Sequence, residues 1–305
     1  MNEEFRDALQ EALSRPQKSI SPKWFYDGEG SALFEAITRL PEYYPTRTET
    51  ALLQRIAPEA AGEIPDGAVL VEYGSGASAK TRILLDAAPQ IAAYVPIDIS
   101  PAALAEAAAS LKADYPRLIV RPVEGDFTRE IDLPAELACR PRVGFFPGST
   151  IGNFGPEGAR RFLVEAKAQL GEGAELIVGV DLAKDEATLV AAYDDAAGVT
   201  AAFNLNLLAR ANREAGADFD LNAFEHRAVW NADESRIEMH LVSRRDQSVR
   251  VGGASFAFRA GESLHTENSY KFTVGGFEAL AASAGWTTGR RWVSPPPEFA
   301  VILLR

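Results

Sequence analysis

The chain is poor in the residue types that build covalent cross-links and metal centres. It has one cysteine, Cys139, and three histidines among 305 residues, so no internal disulfide can form and no zinc-ligand spacing occurs. No apolar run approaches the ~20 residues of a membrane helix. Basic residues are also in deficit, because the net charge is −12 at pH 7. Since phosphate backbones and anionic membranes attract Lys and Arg, we expect neither nucleic acid nor membrane partners. The scarcity of cysteine and the spacing of the histidines lead us to expect no structural metal.

The remaining composition is that of an ordinary globular protein. Hydrophobic residues make up 47% and charged residues 24% of the chain. Its length suggests about two domains, and the N-terminal segment lacks the basic and apolar regions of a signal peptide. We therefore expect a cytoplasmic protein, with a monomer as the default state.

Strand-like and helical segments alternate in the first half of the chain. Apolar strand candidates lie at residues 68–72, 93–97, 119–123, 143–146 and 175–180, separated by segments rich in Ala and Leu. This alternation predicts an α/β fold with a parallel sheet covered by helices. The carboxyl ends of such strands meet at one edge, where ligands bind.

The flanking segments follow other patterns. Residues 1–49 contain short helices and an aromatic cluster, 184–225 is largely helical, and 226–272 alternates like antiparallel strands. A helix and the strand at 299–303 then return to the sheet. We therefore predict a Rossmann-like domain at 50–183 plus 273–305, and a substrate-binding lobe, split in sequence, at 1–49 plus 184–272.

Two glycines follow the first strand and precede a helix. Gly74 and Gly76 permit a sharp turn and a close approach by a ligand, and the free N–H groups of the next helix favour a carboxylate or phosphate. Such a loop alone also occurs as a plain tight turn. The loop is the first candidate for a cofactor site.

Acidic residues follow the next two strands. Asp98 comes about 20 residues after the glycines, the spacing at which an acid receives ribose hydroxyls. Asp126 could accept from an adenine amino group while Phe127 packs on the ring. The alternative for Asp98 is to cap the helix that starts near Ser100. Three loops in the same register favour a nucleotide-type cofactor.

Glu72 bears on which cofactor binds. Residues 74–79 also satisfy the Gly-x-Gly-x-x-Ala variant of the nicotinamide fingerprint, so a dehydrogenase is one alternative. An acid directly before the glycines suits a ligand with an ammonium group, as in S-adenosylmethionine, and would repel a pyrophosphate. A sensor that binds an amino acid and cofactor without turnover is a further alternative.

Five longer motifs carry a resemblance to a known family. They are KWFYDGEGS at 23–31, LPEYYPTRTE at 40–49, FPGSTIGN at 146–153, AYDDAAGVTAAFN at 192–204 and TENSYKF at 266–272. Through nearly its whole length the chain resembles the histidine Nα-methyltransferases of ergothioneine biosynthesis. The resemblance implies a class I S-adenosylmethionine-dependent methyltransferase fold with a second, substrate-binding lobe, and trimethylation of the α-amino group of L-histidine to hercynine.

The resemblance also implies roles for individual residues. Contacts to S-adenosylmethionine are implied for Tyr26, Gly74, Lys80, Asp98, Asp126 and Phe127. Asn153 and Tyr193 would hold the substrate α-carboxylate, and Glu267 and Ser269 the imidazole. The residues implied to line the pocket are Phe34, Tyr43, Gly148, Thr150 and Met239. Tyr43 and Thr150 are the candidate catalytic residues, with Tyr43 or water receiving the proton of the amine.

Each substrate residue also has a structural alternative. Asn153 could cap the helix that begins near Pro156, Tyr193 could be a core residue, and Glu267 a solvated strand residue. Met239 alternates with Ile237 and Leu241, as a core strand residue does.

The ring that is recognised is the main open point. Glu267 and Ser269 suit the two nitrogens of an imidazole, whereas an indole or phenol leaves a partner unsatisfied. Tryptophan- and tyrosine-type substrates remain alternatives because related enzymes methylate tryptophan derivatives. Asn268 and Tyr270 flank this pair, and regular strand alternation would turn Asn268 away from the pocket.

Overall fold

The computed structural model describes residues 2–76, 79–129 and 131–305. Within these ranges the α-helices are α1 Glu3–Ser14, α2 Gly28–Ile37, α3 Tyr44–Glu63, α4 Ala79–Ala87, α5 Pro101–Asp114, α6 Pro156–Leu170, α7 Glu186–Tyr193, α8 Val199–Glu214 and α9 Val274–Ser283. The strands are β1 Val69–Tyr73, β2 Ala93–Asp98, β3 Ile119–Val120, β4 Val123–Glu124, β5 Arg142–Phe146, β6 Glu175–Asp181, β7 Phe224–Asn231, β8 Arg236–Ser243, β9 Gln247–Val251, β10 Ala254–Phe258, β11 Ser263–Tyr270, β12 Thr288–Val293 and β13 Phe299–Leu304.

The chain divides into two compact units. The first, here called the sheet unit, comprises Pro45–Ala183 and Lys271–Arg305. The second, here called the mixed unit, comprises Met1–Tyr44 and Lys184–Tyr270. No helix in the described ranges is both long and apolar enough to cross a bilayer.

The sheet unit contains an eight-stranded sheet with the order β12-β13-β6-β5-β1-β2-β3, in which β4 also pairs with β2. The central strands pair in parallel, and β13 runs antiparallel to both β6 and β12. Strand order reverses beside β1, the switch point at which open α/β sheets bind ligands. The predicted α/β Rossmann-like fold is confirmed.

The predicted strand at 119–123 is two short strands, β3 and β4, and β12 has no counterpart in the prediction. β12 lies at the sheet edge with most of its residues exposed, including Arg290 and Arg291. Charged residues protect an edge strand from pairing with other chains, but they also remove the apolar pattern by which strands are found in sequence.

The mixed unit has two smaller antiparallel sheets and four helices in the described residues. β11, β8 and β7 form a three-stranded sheet, and β9 pairs with β10. One core cluster joins this unit's helices to its sheets, with Phe5, Phe25, Phe203 and Phe258 among its fully buried side chains. The sheet unit has its own two clusters. Each unit therefore has its own apolar core, which fixes the positions of its polar residues.

Candidate functional site

The glycine loop after β1 has the backbone that only glycine adopts easily. Gly74 has φ +71° and Gly76 has φ +45°. A Cβ on Gly74 would lie 3.3 Å from the ring of Phe127, so the loop and this ring approach closely. Ala77 and Ser78, the next two residues of the sequence, lie outside the described residues. The structure thus brings together Gly74 and Phe127, two of the residues predicted to bind the cofactor.

Asp98, at the end of β2, connects the loop to the next helix. Its Oδ2 accepts from the Gly76 N–H at 3.1 Å and its Oδ1 from the Ser100 N–H at 3.0 Å. The carboxylate therefore holds the glycine loop and also makes the turn before α5, which begins at Pro101. This structural role is a turn before the helix and not the helix cap that was the alternative for Asp98.

Asp126 and Phe127 follow β4. Asp126 accepts from the backbone and the hydroxyl of Thr128 and is partly buried. Phe127 packs edge-on against Tyr73 and Phe146, with ring centroids 6.5 and 5.6 Å apart. Both residues are held firmly by their own surroundings, as a ligand-binding loop requires.

Ser75 supplies the test of whether a cofactor fits here. Its Oγ is buried and has no hydrogen-bond partner among the residues that the structure describes. A buried hydroxyl without a partner is costly, by about 1–3 kcal/mol, and a ligand in the glycine loop would satisfy it. This unsatisfied hydroxyl and the close approach at Gly74 both fit a bound nucleotide-type group.

The Glu72 carboxylate does not lie where the sequence analysis expected it, as a charged partner for the ammonium group of a ligand. Its side chain is 1% exposed and accepts from the hydroxyls of Thr81 on α4 and Tyr94 on β2. Burial raises the pKa of Glu72 to about 7, against the opposing effect of those two hydroxyls. Because burial favours the neutral form of this carboxyl group, Glu72 is a weaker counter-charge for a ligand than the sequence suggested.

Glu49, in α3, is a residue that the prediction missed. It is fully buried, pairs with Lys80, and accepts from the Gly148 N–H at 2.8 and 3.0 Å. Two predicted site residues are thus joined through one carboxylate. Glu49 is the last residue of the motif at 40–49. Its place in that motif was the sequence signal that could have identified it.

The segment after β5 positions Gly148, Thr150 and Asn153. Gly148 has φ +83°, and the Thr150 hydroxyl donates to the Pro147 carbonyl at 2.9 Å. Asn153 ends a 3₁₀ turn at Thr150–Asn153, and Gly155 occupies the N-cap of α6. The suggestion that Asn153 caps this helix is therefore wrong.

The mixed unit gathers the predicted aromatic residues around Phe203. Tyr26 and Phe34 each meet the Phe203 ring at about 6 Å between centroids, and Tyr43 contacts both Phe34 and Tyr193. Phe203 was not predicted as a site residue, although it lies in the motif at 192–204. The cluster provides neutral aromatic faces.

Tyr193 and Ser269 are in direct contact. The Tyr193 hydroxyl and the Ser269 Oγ are 2.7 Å apart, and both side chains are buried. Met239 is 2% exposed, in line with the expected core position. In the sheet, Ser269 is opposite Ile237 and Glu267 is opposite Met239, so these residues share one face.

A β-bulge sets which face Glu267 occupies. His265 is opposite His240, whereas Glu267 is already opposite Met239, so Thr266 is the additional residue. The Thr266 hydroxyl donates to the Met239 carbonyl at 3.0 Å. Because side chains alternate with period two, Glu267 would share the face of His265 without this bulge. Sequence alternation alone does not reveal the bulge.

Asn268 lies on the opposite face, as predicted. It is opposite Glu238 in β8, and its Oδ1 is buried without a partner among the described residues. The Tyr270 hydroxyl accepts from Arg236 on the same face. Neither residue shares the face of Glu267 and Ser269.

Glu238, His240 and His265 form a group with metal-like spacing, and their ligand atoms lie within 4.8 Å of one another. Arg236 already pairs with Glu238 at 2.7 Å. Burial raises the pKa of Glu238, but hydrogen bonds from Asn231, Arg236 and His240 lower it to about 2. Because the Arg236 guanidinium already supplies the positive charge beside Glu238, we interpret the group as an internal ion-pair network.

Comparison with known proteins identifies the family to which these candidate site residues belong. A family model described as histidine-specific methyltransferase, SAM-dependent, matches residues 5–305. A histidine N-alpha-methyltransferase of Mycolicibacterium smegmatis is 46% identical, over 99% of this chain and 94% of that protein. One from Mycobacterium tuberculosis is 43% identical, over 95% and 91%.

A more distant relative has a different substrate in its name. The 4-dimethylallyltryptophan N-methyltransferase of Aspergillus fumigatus is 25% identical, over 98% of this chain and 93% of that protein. The family model and the two bacterial relatives nevertheless cover almost the entire chain. The chain therefore belongs to the family of histidine-specific, S-adenosylmethionine-dependent methyltransferases.

Proposed function

We propose that this protein transfers methyl groups from S-adenosylmethionine to the α-amino group of L-histidine, three in succession, and so forms hercynine. The observation that carries the proposal is the 46% identity to a histidine N-alpha-methyltransferase along 99% of the chain. Family membership favours methyl transfer over nicotinamide chemistry. The cytoplasmic location and the monomeric state stay predictions from the sequence.

The sheet unit supplies the donor-binding residues in this proposal. Gly74 and the buried Ser75 hydroxyl belong to the glycine loop that faces the donor. Asp98 receives the ribose hydroxyls. Asp126 and Phe127 hold the adenine, and Lys80 is oriented by Glu49. Tyr26, a residue of the mixed unit, is the remaining proposed donor ligand. When bound, S-adenosylmethionine supplies an electrophilic methyl group on a sulfonium.

The mixed unit supplies ring recognition. Glu267 accepts from one imidazole nitrogen and Ser269 pairs with the other, so both nitrogens are satisfied. The Tyr193 hydroxyl, 2.7 Å from Ser269, is a proposed ligand of the α-carboxylate, and the same role is proposed for Asn153 of the sheet unit. An indole has one N–H and no acceptor, so it leaves Ser269 a poorer partner. This difference favours histidine over tryptophan.

Catalysis in this proposal depends mainly on orientation. The neutral amine attacks the methyl carbon in line with the bond to sulfur, and no covalent enzyme intermediate is needed. The amine first loses its proton to water or to the Tyr43 hydroxyl. The other proposed substrate-contacting residues are Phe34 and Met239 in the mixed unit, and Gly148 and Thr150 in the sheet unit. The neutral aromatic cluster suits a positive charge that becomes dispersed in the transition state.

The direct test is turnover with defined substrates. We would incubate the purified protein with S-adenosylmethionine and, separately, histidine, tryptophan and tyrosine, and follow product mass. A trimethylated product from histidine alone is expected. Product from tryptophan instead would retain the donor site and overturn the ring assignment, and saturable binding without any product would indicate the sensor alternative.

A Glu267→Gln variant adds a test of the ring assignment. The amide keeps the size of the side chain but removes its charge, so we expect a lower kcat/KM for histidine and an unchanged KM for the donor. The matched control is Glu225→Gln, since Glu225 forms an exposed pair with Arg227 on β7. Equal loss in both variants would contradict the role of Glu267.

A further inference from the structure

The C-terminal end of α7 is held by a histidine from a neighbouring strand. α7 ends at Tyr193, and the last carbonyls of a helix accept from groups outside the regular helix pattern. The Nε2 of His226, on β7, lies 2.8 Å from this carbonyl oxygen. A carbonyl can only accept, so Nε2 carries the proton and donates. His226 thus caps the helix at the residue whose hydroxyl contacts Ser269.

The other nitrogen of His226 faces Asn204, on α8. The Asn204 Nδ2 lies 2.8 Å from His226 Nδ1 and 3.1 Å from the His240 carbonyl oxygen. The His240 carbonyl requires a donor, which fixes the amide nitrogen on this side. Asn204 therefore donates to an unprotonated Nδ1, and the neutral Nε2–H tautomer of His226 follows.

The surroundings of His226 favour this neutral form. Its side chain is 2% exposed, and burial lowers its pKa despite the carboxylates of Asp194 and Asp195. The nearer of these, Asp194, lies 3.9 Å from Nε2 and is 47% exposed, so solvent screens its charge. Asp195 caps α8 through the Val199 and Thr200 N–H groups. A protonated Nδ1 would oppose the Asn204 amide.

The network retains one unfavourable feature. Asn204 is fully buried, and its Oδ1 has no partner in the described part of the chain. Leaving such an oxygen unpaired costs about 1–3 kcal/mol, and the two hydrogen bonds donated by the Asn204 amide offset that cost. The amide does supply two donors, one of which sets the His226 tautomer.

We infer that Asn204 and His226 are positioning residues for amino-acid binding, which fix the end of α7 and so hold the Tyr193 hydroxyl against Ser269. This inference rests on the proposed function, in which Tyr193 binds the α-carboxylate. Neither residue touches the reacting atoms. Their effect is therefore on histidine affinity and not on donor affinity.

Two substitutions of His226 separate its two nitrogens. In His226→Gln the side-chain amide reaches the position of Nε2 and can donate to the Tyr193 carbonyl. In His226→Asn the shorter amide reaches only the position of Nδ1. We expect the dissociation constant for histidine to stay within about threefold of wild type in His226→Gln and to rise at least tenfold in His226→Asn. Calorimetric titration with histidine measures both values.

Two further measurements distinguish positioning from a general loss of structure. The dissociation constant for S-adenosylmethionine should stay within about twofold in both variants, because its proposed ligands lie mainly in the sheet unit. Long-range ¹H–¹⁵N NMR correlations of the wild-type protein should show the Nε2–H tautomer of His226. Equal histidine affinity in the two variants, parallel loss of donor affinity, or an Nδ1–H tautomer would each overturn the inference.

This design also keeps the two proposals apart. Binding titrations need no turnover, so a wild-type protein that forms no product from histidine would contradict the proposed function alone. Unequal histidine affinities in the two variants would still support the positioning role. Normal turnover combined with equal affinities would contradict the positioning role alone.

Discussion

The two units place their candidate site residues by different means. In the sheet unit, Gly74, Asp98 and Asp126 lie at or just after the ends of three strands, β1, β2 and β4, that pair in parallel. Parallel pairing alone brings these strand ends to one edge. In the mixed unit, Tyr193 ends a helix and Ser269 lies on a strand, and a 2.7 Å contact joins them. Topology places the first set, and individual side-chain contacts place the second.

This difference has consequences for substitution. A residue placed by topology keeps its position when a neighbour changes, because the backbone ladder holds it. A residue placed by side-chain contacts depends on partners remote in sequence, such as His226 for Tyr193. The sheet unit should therefore be sensitive at the ligand-binding residues themselves, and the mixed unit also at the residues behind them.

Glu49 is the exception in the sheet unit, and the largest effect is expected there. Glu49→Gln removes the charge that pairs with the partly buried Lys80 while keeping an acceptor for the Gly148 N–H. Breaking a buried ion pair from one side leaves an uncompensated charge, so we expect a loss of about 3 kcal/mol in the free energy of unfolding. Urea denaturation measures this loss, and calorimetry should show weaker donor binding.

The matched control is Glu63→Gln in the same unit. Glu63 pairs with Arg290 and Arg305, whose side chains are 59% and 44% exposed. Pairs of this kind contribute up to about 1 kcal/mol. If both variants lose the same stability, Glu49 contributes no more than an exposed ion-pair residue. Glu49 would then not be an exception among the residues of the sheet unit.

Asp98→Ala tests whether a strand-end residue acts on the donor alone. The change removes the acceptor of the Gly76 N–H and the proposed partner of the ribose. Hydrogen bonds to charged groups contribute about 2 kcal/mol, so the dissociation constant for S-adenosylmethionine should rise about 30-fold, with histidine binding changed by less than twofold. Asp114→Ala, which breaks an exposed pair with Arg82, serves as control. Calorimetry that shows equal losses for both ligands would contradict the separation of roles.

Tyr193→Phe tests a residue of the mixed unit that is placed by a side-chain contact. The ring stays in its aromatic cluster, but the hydroxyl that meets Ser269 is lost. We expect histidine affinity to fall about tenfold, equivalent to about 1.4 kcal/mol, with donor affinity unchanged. Tyr115→Phe removes an exposed hydroxyl bonded to Asp86 and should change neither affinity. A selective loss of donor binding in Tyr193→Phe would assign this residue to the other ligand.

Much of the sheet unit could be predicted from the sequence because its signals are local. Buried strands such as β1 are mainly apolar, and β1 is followed by the glycine loop. The edge strand β12 carries Arg290 and Arg291 instead, so no apolar run marks it. The hydrogen-bonded position of Glu72 could not be predicted from the local sequence either, since its partners Thr81 and Tyr94 come from two other elements.

The mixed unit was less predictable because its arrangement depends on contacts between distant segments. The family motifs identify Tyr193 and Ser269, but they do not show that the two hydroxyls meet. Nor do they show that His226 caps α7 or that Phe203 lies at the centre of the aromatic cluster. Those relations depend on tertiary packing. The bulge at Thr266 is the clearest example, since it changes the face of every following residue in β11.

Thr266→Val tests the placement of Glu267 and Ser269 through that bulge, with the smallest expected effect. Valine keeps the shape and strand preference of threonine but removes the donor to the Met239 carbonyl, so we expect a loss of about 1 kcal/mol in stability. Histidine affinity should fall about threefold, because the bulge then holds Glu267 less firmly on the face of Met239. Thr287→Val is the control, since it removes an exposed hydroxyl bond to the Arg305 carbonyl. Unchanged histidine affinity in Thr266→Val would mean that backbone pairing alone maintains the bulge, and β11 would then resemble the strands of the sheet unit.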